Sequence, residues 1–257
     1  MKQHAKEFEK CLRSVAHRYH IWEVFRDFCE LSALALANQT LMNEEREQRY
    51  LRTIERYREK EEYKAFPELL GITIEALEDN EAGPTDFLGS LFMSMELSSH
   101  WHGQYFTPMP ICSMMAKLSL DGYQDVITRR GFITVQDPAC GSAAMLIAMA
   151  AEMREAGYNP QRQLHATGID VESTAAHMAY IQLSLLGIQA QIYLGNSLSM
   201  EMRERFDTFM HVQGLWDFRL RAGQDAPPLP PEQLPPQKIV EKAVEPVFTA
   251  GQAELEL

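Results

Sequence analysis

The spacing of apolar positions changes near residue 130 and divides the chain into two predicted architectures. Residues 1–70 carry apolar side chains at steps of three and four, which is the spacing of one face of an α-helix. Beyond residue 130, short runs rich in β-branched residues alternate with longer helical segments. This alternation is typical of βαβ units around a parallel sheet. The sequence therefore predicts a helical region followed by an α/β domain.

The α/β part is expected to contain a parallel sheet of about four strands with right-handed crossovers. The predicted strands cover residues 132–136, 165–170, 190–194 and 206–212, and the predicted helices cover residues 109–121, 142–156 and 172–186. Upstream, residues 67–100 are predicted to form short helices broken at Pro67, Gly71, Gly83-Pro84 and Gly89. We divide the chain into a helical region 1–100, a domain 101–221 and a proline-rich, acidic tail 222–257 that we expect to be extended and disordered.

The segment 43–62 is dense in charges of both signs. A solvated helix with paired charges is the favoured interpretation. The alternatives are a helix that binds a partner, or an arm whose arginines contact phosphates; those arginines are Arg46, Arg49, Arg52, Arg56 and Arg58.

Composition narrows the functional classes. At 257 residues the chain holds one good-sized domain plus extensions, and it has no apolar run long enough to span a membrane. Its first residues are charged, so we expect a cytoplasmic protein. The four cysteines are far apart, which predicts neither disulfides nor a metal site. The net charge of −12 disfavours autonomous DNA binding but suits a subunit or a protein-binding module.

The candidate chemistry begins at Phe132–Met145, which is predicted to form a strand, a tight glycine turn and the start of a helix. Gly141 permits a sharp turn and close backbone approach to a ligand, and Ser142 is a suitable helix cap. A second predicted strand ends at Asp170, roughly 30 residues later, where an acidic side chain accepts hydrogen bonds from ribose hydroxyls. Asp137 and Gly141 lie at the carboxyl end of the first strand, where open α/β sheets bind ligands.

Five segments, in this order and spacing, resemble the landmarks of adenine-specific DNA methyltransferases, in particular the modification subunits of type I restriction systems. They are Asp86–Gly89, Gly103–Pro108, Asp137–Ser142, Gly168–Asp170 and Gly195–Leu198, within residues 80–212. The resemblance implies a Rossmann-like fold that binds S-adenosylmethionine.

The same resemblance implies a set of residues that bind this cofactor: Phe106, Thr107, Asp137, Ala139, Gly141, Asp170 and Asn196. Phe106 and Thr107 would line its methionine end, Asp137 would accept from its amino group, and Asp170 would hold the ribose hydroxyls. Asn196 would contact the adenine ring, with Ile169 and Leu198 as apolar walls.

The chain also departs from the family pattern. Ala143 and Ala144 stand where relatives usually have glycine. More importantly, the predicted fourth strand is not followed by the Asn/Asp-Pro-Pro-Tyr/Phe motif that grips a flipped adenine. Gln213, Trp216 and Phe218 are a minor alternative for that role; packing against the sheet is the favoured one. We therefore predict no catalytic residue and no metal.

Three functional hypotheses remain. The favoured one is a cofactor-binding, catalytically incomplete methyltransferase-like protein with a regulatory or accessory role. The second is an active or split DNA adenine-N6 methyltransferase, and the third is an acidic protein-interaction module or DNA mimic. The candidate partners are DNA within a complex, another protein, or a second copy of the chain.

Overall fold

The computed structural model describes residues 2–59, 61–78, 83–95 and 106–222. The predicted tail beyond residue 222 and the landmark residues 103–105 lie outside this part of the chain.

The predicted N-terminal helical region is confirmed. It consists of α1 (Lys2–Val15), α2 (Ile21–Thr40), α3 (Glu44–Glu55), a short 3-10 turn (Glu62–Lys64), α4 (Ala65–Glu78) and α5 (Phe87–Ser94). The predicted breaks at Pro67, Gly71 and Gly89 are wrong, because α4 and α5 run through them. Pro67 lies in the first turn of α4, where a helix does not need the missing N–H. Gly89 allows close packing instead, since a Cβ there would lie 2.2 Å from the Ser142 hydroxyl oxygen.

The α/β part follows the predicted alternation. It comprises α6 (Met109–Leu120), α7 (Gln124–Arg130), β1 (Ile133–Asp137), α8 (Ala144–Glu155), α9 (Pro160–Gln163), β2 (Leu164–Asp170), α10 (Ser173–Leu185), β3 (Gln189–Asn196), β4 (Glu201–Asp207), α11 (Phe209–Gln213) and α12 (Trp216–Ala222). Within the described residues the sheet has four strands in the order β1-β2-β3-β4, and β1, β2 and β3 are parallel. The α/β class and the number of strands are as predicted.

The fourth strand differs from its prediction in position and direction. β4 covers residues 201–207 and pairs antiparallel with β3, while residues 209–213 form α11 instead of a strand. A tight turn at 197–200 joins the two strands, because the side-chain oxygen of Asn196 accepts from the N–H groups of Leu198 and Ser199. A connection this short forms a hairpin and has no room for the crossover that a parallel strand requires. The prediction of an all-parallel sheet is therefore wrong at its last strand.

The two faces of the sheet differ in polarity. One face packs on α8 and α10 and joins a continuous apolar core that also includes α1, α2, α4 and α5. The register places mainly polar side chains on the other face, among them Thr134, Gln136, Thr167, Gln191 and Tyr193. The first elements after β4, α11 and α12, pack against part of this polar face through His211 and Trp216.

Helix α3 covers the outer edge of β4. Arg46 donates to the backbone oxygen of Arg205 (2.6 Å), and Arg49 pairs with Glu204 (2.6 Å) and Glu30 (2.9 Å). The helix buries none of its residues and its charges are paired, as the favoured interpretation expects. Arg46 and Arg49 are engaged within the chain, which does not favour an arm that contacts phosphates. Their positive charges stabilise a sheet edge that would otherwise present unpaired backbone groups.

His177 on α10 is fully buried against Phe206 of β4, and both of its ring nitrogens lack a hydrogen-bond partner within the described chain. Burial lowers the pKa of His177 to about 4. An unpaired buried polar group costs about 1–3 kcal/mol, so we expect His177→Leu to raise the free energy of unfolding at pH 7 by about 1 kcal/mol. Urea denaturation measures this change.

The matched control is His211→Leu, because His211 is also buried but is hydrogen-bonded to His165 (2.9 Å). We expect that substitution to destabilise the protein. Equal losses of stability in both variants would show that the unpaired nitrogens of His177 carry no cost.

Candidate functional site

The candidate site lies at the carboxyl ends of β1, β2 and β3. Asp137, Asp170 and Asn196 are the last residues of these strands, and neighbouring parallel strands bring them to one edge of the sheet. The backbone N–H of Gly141 donates to the carboxylate of Asp170 (2.9 Å). The structure thus joins the glycine turn after β1 to the acidic residue that ends β2, as the sequence predicts.

The glycine turn requires its glycine for two reasons. Gly141 has a φ of 54°, in the left-handed region where a side chain is disfavoured. A Cβ at this position would also lie 2.7 Å from the ring of Phe106. The adjacent Cys140 N–H donates to the backbone oxygen of Ile169 (2.9 Å), which anchors the turn to β2. Phe106 therefore lies directly over the turn, although it is far from it in sequence.

Asp170 holds the local backbone as well as facing the site. One of its carboxylate oxygens accepts from Gly141, and the other accepts from the N–H of Glu172 (2.9 Å). A carboxylate has about four acceptor positions, so two remain for a ligand. The side chain is half-buried and fixed in direction, as an acceptor for paired hydroxyl groups needs to be.

Asp137 is held in a similar way. Its Oδ1 accepts from the N–H of Ala139 (3.1 Å). Burial raises the pKa of Asp137, and the negative charge of Asp170 raises it further. Two carboxylates close enough to influence each other favour a ligand that offers hydrogen-bond donors or a positive charge. Ala139, which belongs to the glycine turn just after Asp137, is exposed.

Asn196 is exposed, and its amide has a defined role in the turn after β3. Because its oxygen accepts from Leu198 and Ser199, the group left for a ligand is the amide NH₂, a donor. The two predicted apolar wall residues differ in exposure. Leu198 is 95% exposed, but Ile169 is buried. Val171, which follows Asp170, is a second exposed apolar residue at this edge of the sheet.

Phe106 and Thr107 border a cavity of about 420 Å³ between α5 and the start of α6. Asp86 and Met93 also line it. Phe106 is held in place by Phe92 of α5, with ring centroids 5.4 Å apart. This cavity adjoins the glycine turn through the Phe106 ring, and neither Asp137 nor Asp170 is among the residues that line it.

A buried polar network supports the turn from below, and sequence reasoning missed its member Gln182. Asp86 accepts from the Ser142 hydroxyl (2.6 Å), from the N–H of Gly89 (2.9 Å) and from the side-chain NH₂ of Gln182 (2.9 Å). Gln182 also donates to the Ser142 backbone oxygen (2.8 Å) and accepts from the N–H of Phe87 (2.8 Å). The network ties α5, the glycine turn and α10 together.

The two alanines that replace glycine in the turn behave differently. Ala143 has a φ of 76°, so an L residue occupies a left-handed position that glycine would adopt more easily. Ala144 begins α8 and is buried. Cys140 is also buried, and its sulfur packs against Gly168, where a Cβ would lie 2.9 Å away. Burial raises the pKa of the Cys140 thiol, which agrees with packing rather than nucleophilic chemistry.

The positions of Trp216 and Phe218 do not support the minor alternative, in which they would hold a flipped base. Trp216 is buried against Phe132 (ring centroids 4.9 Å apart) and His165, at the opposite ends of β1 and β2 from Asp137 and Asp170. Phe218 is 72% exposed on the same short helix. A strand of this length separates the two ends by about 15 Å.

Within the described ranges, no group of three or more His, Cys, Asp or Glu side chains is arranged to hold a metal ion. The same part of the chain contains no helix that is both long and apolar enough to cross a membrane.

Comparisons with known proteins found one sequence family and one solved structure that are similar to this chain. Residues 90–213 match the family model of N-6 DNA methylases. The chain is also similar to a solved structure assigned as a class I S-adenosylmethionine-dependent methyltransferase from Listeria monocytogenes, with 18% identity, a TM-score of 0.43, and coverage of 75% of this chain and 53% of that one. This chain thus spans about half the length of that neighbour. No curated protein sequence matches it. The matched residues 90–213 hold the glycine turn and both site carboxylates, so the candidate site lies in the part of the chain that is similar to N-6 DNA methylases.

Proposed function

We propose that the protein binds S-adenosylmethionine at the carboxyl edge of β1–β3 and is a DNA adenine-N6 methyltransferase-like protein that lacks its own base-gripping apparatus. The observation that carries the proposal is the hydrogen bond between the Gly141 N–H and Asp170. It assembles a glycine turn and a ribose-type acceptor within a segment that matches the N-6 DNA methylase family. A regulatory or accessory role follows from the missing apparatus.

The residues present suit this cofactor. The free acceptor positions of Asp170 match two ribose hydroxyls, and the NH₂ of Asn196 suits a ring nitrogen of adenine. Val171 and Leu198 are exposed apolar groups that would cover the faces of the ring. Phe106 and Thr107 line the neighbouring cavity and would contact the methionine end. The cofactor supplies an electrophilic methyl group, and its sulfonium charge suits a site with two carboxylates.

The proposed incompleteness rests on the segment that follows β4. The helices α11 and α12 follow β4, and residues 208–222 contain no Asn/Asp-Pro-Pro-Tyr/Phe sequence. Their aromatic anchor, Trp216, packs at the far end of the sheet from Asp137. Methyl transfer to a flipped base needs acceptors for the target amine and a stacking ring at the cofactor.

Isothermal titration calorimetry with S-adenosylmethionine tests the binding proposal. We expect saturable binding, and we expect Asp170→Ala to weaken it by about 1–3 kcal/mol because ribose donors would lose their acceptor. Asp125→Ala, which removes an exposed carboxylate on α7, is the matched control and should leave the affinity unchanged. Absence of binding by the unsubstituted protein, or equal affinity in the Asp170 variant, would refute the site.

Transfer of a tritiated methyl group to DNA of mixed sequence tests incompleteness separately. We expect no label above background from the protein alone. Label that depends on Asp137, and that disappears in Asp137→Ala, would show that the chain completes catalysis by other residues.

A further inference from the structure

Arginines surround the start of β1, at the opposite end of the sheet from the candidate site. Arg129 and Arg130 lie in the last turn of α7, and Arg219 and Arg221 lie in the last turn of α12. The guanidinium carbons of Arg130 and Arg219 are 5.2 Å and 5.3 Å from the ring centroid of Phe132. Two positive charges therefore lie against one aromatic ring, where they repel each other.

No carboxylate forms an ion pair with these four arginines within the described residues. Arg129 donates to the backbone oxygen of Asp125 (3.2 Å) and not to its carboxylate. The carboxylate of Asp217, on α12 itself, is held by Arg205 (3.1 Å). The positive charges at the start of β1 are thus left without a local counterion.

Arg219 shows the imbalance most clearly. The other half-buried arginines of the described chain, Arg26, Arg46, Arg49 and Arg205, each form an ion pair with a carboxylate. Arg219 forms none; it stacks on the buried Trp216, with its guanidinium carbon 3.9 Å from the ring centroid. Burial lowers the pKa of Arg219, and no anionic group opposes this effect. A half-buried, unpaired guanidinium gains stability from an external anion.

An exposed aromatic ring adjoins these arginines. Phe218 is 72% exposed on α12. At 100° per residue it lies on the side of the helix opposite Trp216, between the directions of Arg219 and Arg221. Proteins bind unpaired nucleotides with such a combination, since cations hold the phosphates and bases stack on the ring. We call Phe218 and the four arginines the basic patch.

A groove leads from the basic patch along the polar face of the sheet. It has a volume of about 490 Å³, and Arg221, Gln191 and Tyr193 are among the residues that line it. β3 runs from Gln191 through Tyr193 to Asn196, so the groove points towards the edge where we propose that the cofactor binds. Tyr193 is half-buried and offers a second ring. A strand held at the basic patch would have a path along β3.

We propose that the basic patch binds a single strand of DNA, with phosphates on the arginines and a base stacked on Phe218. The net charge of −12 confines this contact to the patch. Bases of a duplex stack on each other and leave no free face for Phe218, and an acidic peptide would satisfy only the arginines. The choice of DNA over RNA rests on the proposed function, whereas the contacts themselves need no cofactor.

Fluorescence anisotropy of a labelled single strand of about 12 nucleotides tests the proposal. At low salt and without S-adenosylmethionine we expect saturable binding. Arg130→Gln/Arg221→Gln should weaken it at least tenfold and reduce the slope of log affinity against log salt by about 1.4, because each phosphate contact to a single strand contributes about 0.7. The matched control, Arg13→Gln/Arg58→Gln, removes the same charge from exposed arginines of the helical region and should leave the affinity unchanged.

Phe218→Ala tests the stacking contact, and we expect it to weaken binding at least fivefold. Phe218→Tyr keeps an aromatic ring and should retain the affinity. Phe218 is exposed, so neither substitution removes a core contact, and urea denaturation should give the same stability for both variants.

Failure of the unsubstituted protein to bind the oligonucleotide would overturn the proposal, as would an equal loss of affinity in the two double arginine variants. Equal affinity for a duplex of the same sequence would show that Phe218 stacks on no base. Displacement of the oligonucleotide by polyglutamate of equal charge would identify a surface for acidic proteins instead. Because these measurements contain no cofactor, their failure is distinct from a failure of S-adenosylmethionine to bind in calorimetry.

Discussion

Replacing Asp86 with alanine is expected to destabilise the protein by about 3–5 kcal/mol and to abolish the proposed binding of S-adenosylmethionine. Asp86 is buried and accepts three hydrogen bonds, from Gly89, Ser142 and Gln182. Alanine would leave these donors without that acceptor, and each unpaired buried group costs about 1–3 kcal/mol. Because Ser142 follows Gly141 directly, the glycine turn would lose its support. Urea denaturation and calorimetry measure the two effects.

Asp86→Asn is the matched control, because an amide keeps the oxygen that accepts from Gly89 and Gln182. We expect its stability to stay within about 1 kcal/mol of the unsubstituted protein at neutral pH.

Burial raises the pKa of Asp86 above its usual value of 3.8. A carboxyl with a raised pKa in the folded state favours folding at acid pH and loses that contribution as the pH rises. The asparagine variant should lack this dependence. An alanine variant as stable as Asp86→Asn would contradict a supporting role for the network.

Some residues of the site could be predicted from the sequence, and others could not. Asp137, Gly141 and Asp170 were predictable, because each lies at a fixed offset from a strand and parallel strands end at one edge. Gln182 was not, because it belongs to a helix whose other residues are mostly apolar and buried. Its role depends on the meeting of three elements that are far apart in the chain. No local pattern carries that information.

The position of the fourth strand could not be predicted from local strand propensity. Residues 206–212 are rich in apolar and aromatic side chains, which favours a strand on composition alone. The polar stretch 201–205 forms the strand instead, because the Asn196 turn directs it back along β3 and Arg46 and Arg49 of α3 bind its outer edge. Pairing with a neighbouring strand and ion pairs to residues far away in the chain determine where such a strand forms. The strand propensities of single residues include neither.

Acidification is expected to destabilise the protein through a buried histidine pair. His165 and His211 lie on the polar face of the sheet, with Nε2 of His165 2.9 Å from Nδ1 of His211. Burial lowers the pKa of His165 from 6.5 to about 3, and it also lowers the pKa of His211. Asp217, 3.5 Å from Nε2 of His211, opposes part of the shift in His211. Both rings are therefore neutral in the folded protein at pH 7.

The sign of the effect follows from proton binding. A histidine with a lowered pKa in the folded state stabilises the protein above its unfolded pKa, and that stability is lost as the pH falls towards the folded value. For His165 the window runs from 6.5 down to about 3. One pH unit within it corresponds to about 1.4 kcal/mol, so between pH 7 and pH 5 we expect His165 to account for a loss of about 2 kcal/mol.

His165→Gln isolates this contribution, because glutamine retains a donor for His211 but does not titrate. Urea denaturation at pH 7 and pH 5 should show a smaller loss in this variant, by about 2 kcal/mol. His17→Gln, which removes an exposed histidine at the end of α1, is the control and should show the full loss. If the two variants lose stability equally on acidification, the His165–His211 pair does not carry the pH dependence, and protonation must act at another buried group such as His177.

The pair matters for the site as well, because it packs under α12 at the start of β1 and β2. Loosening α12 at acid pH would weaken the base of the strands whose far ends hold Asp137 and Asp170.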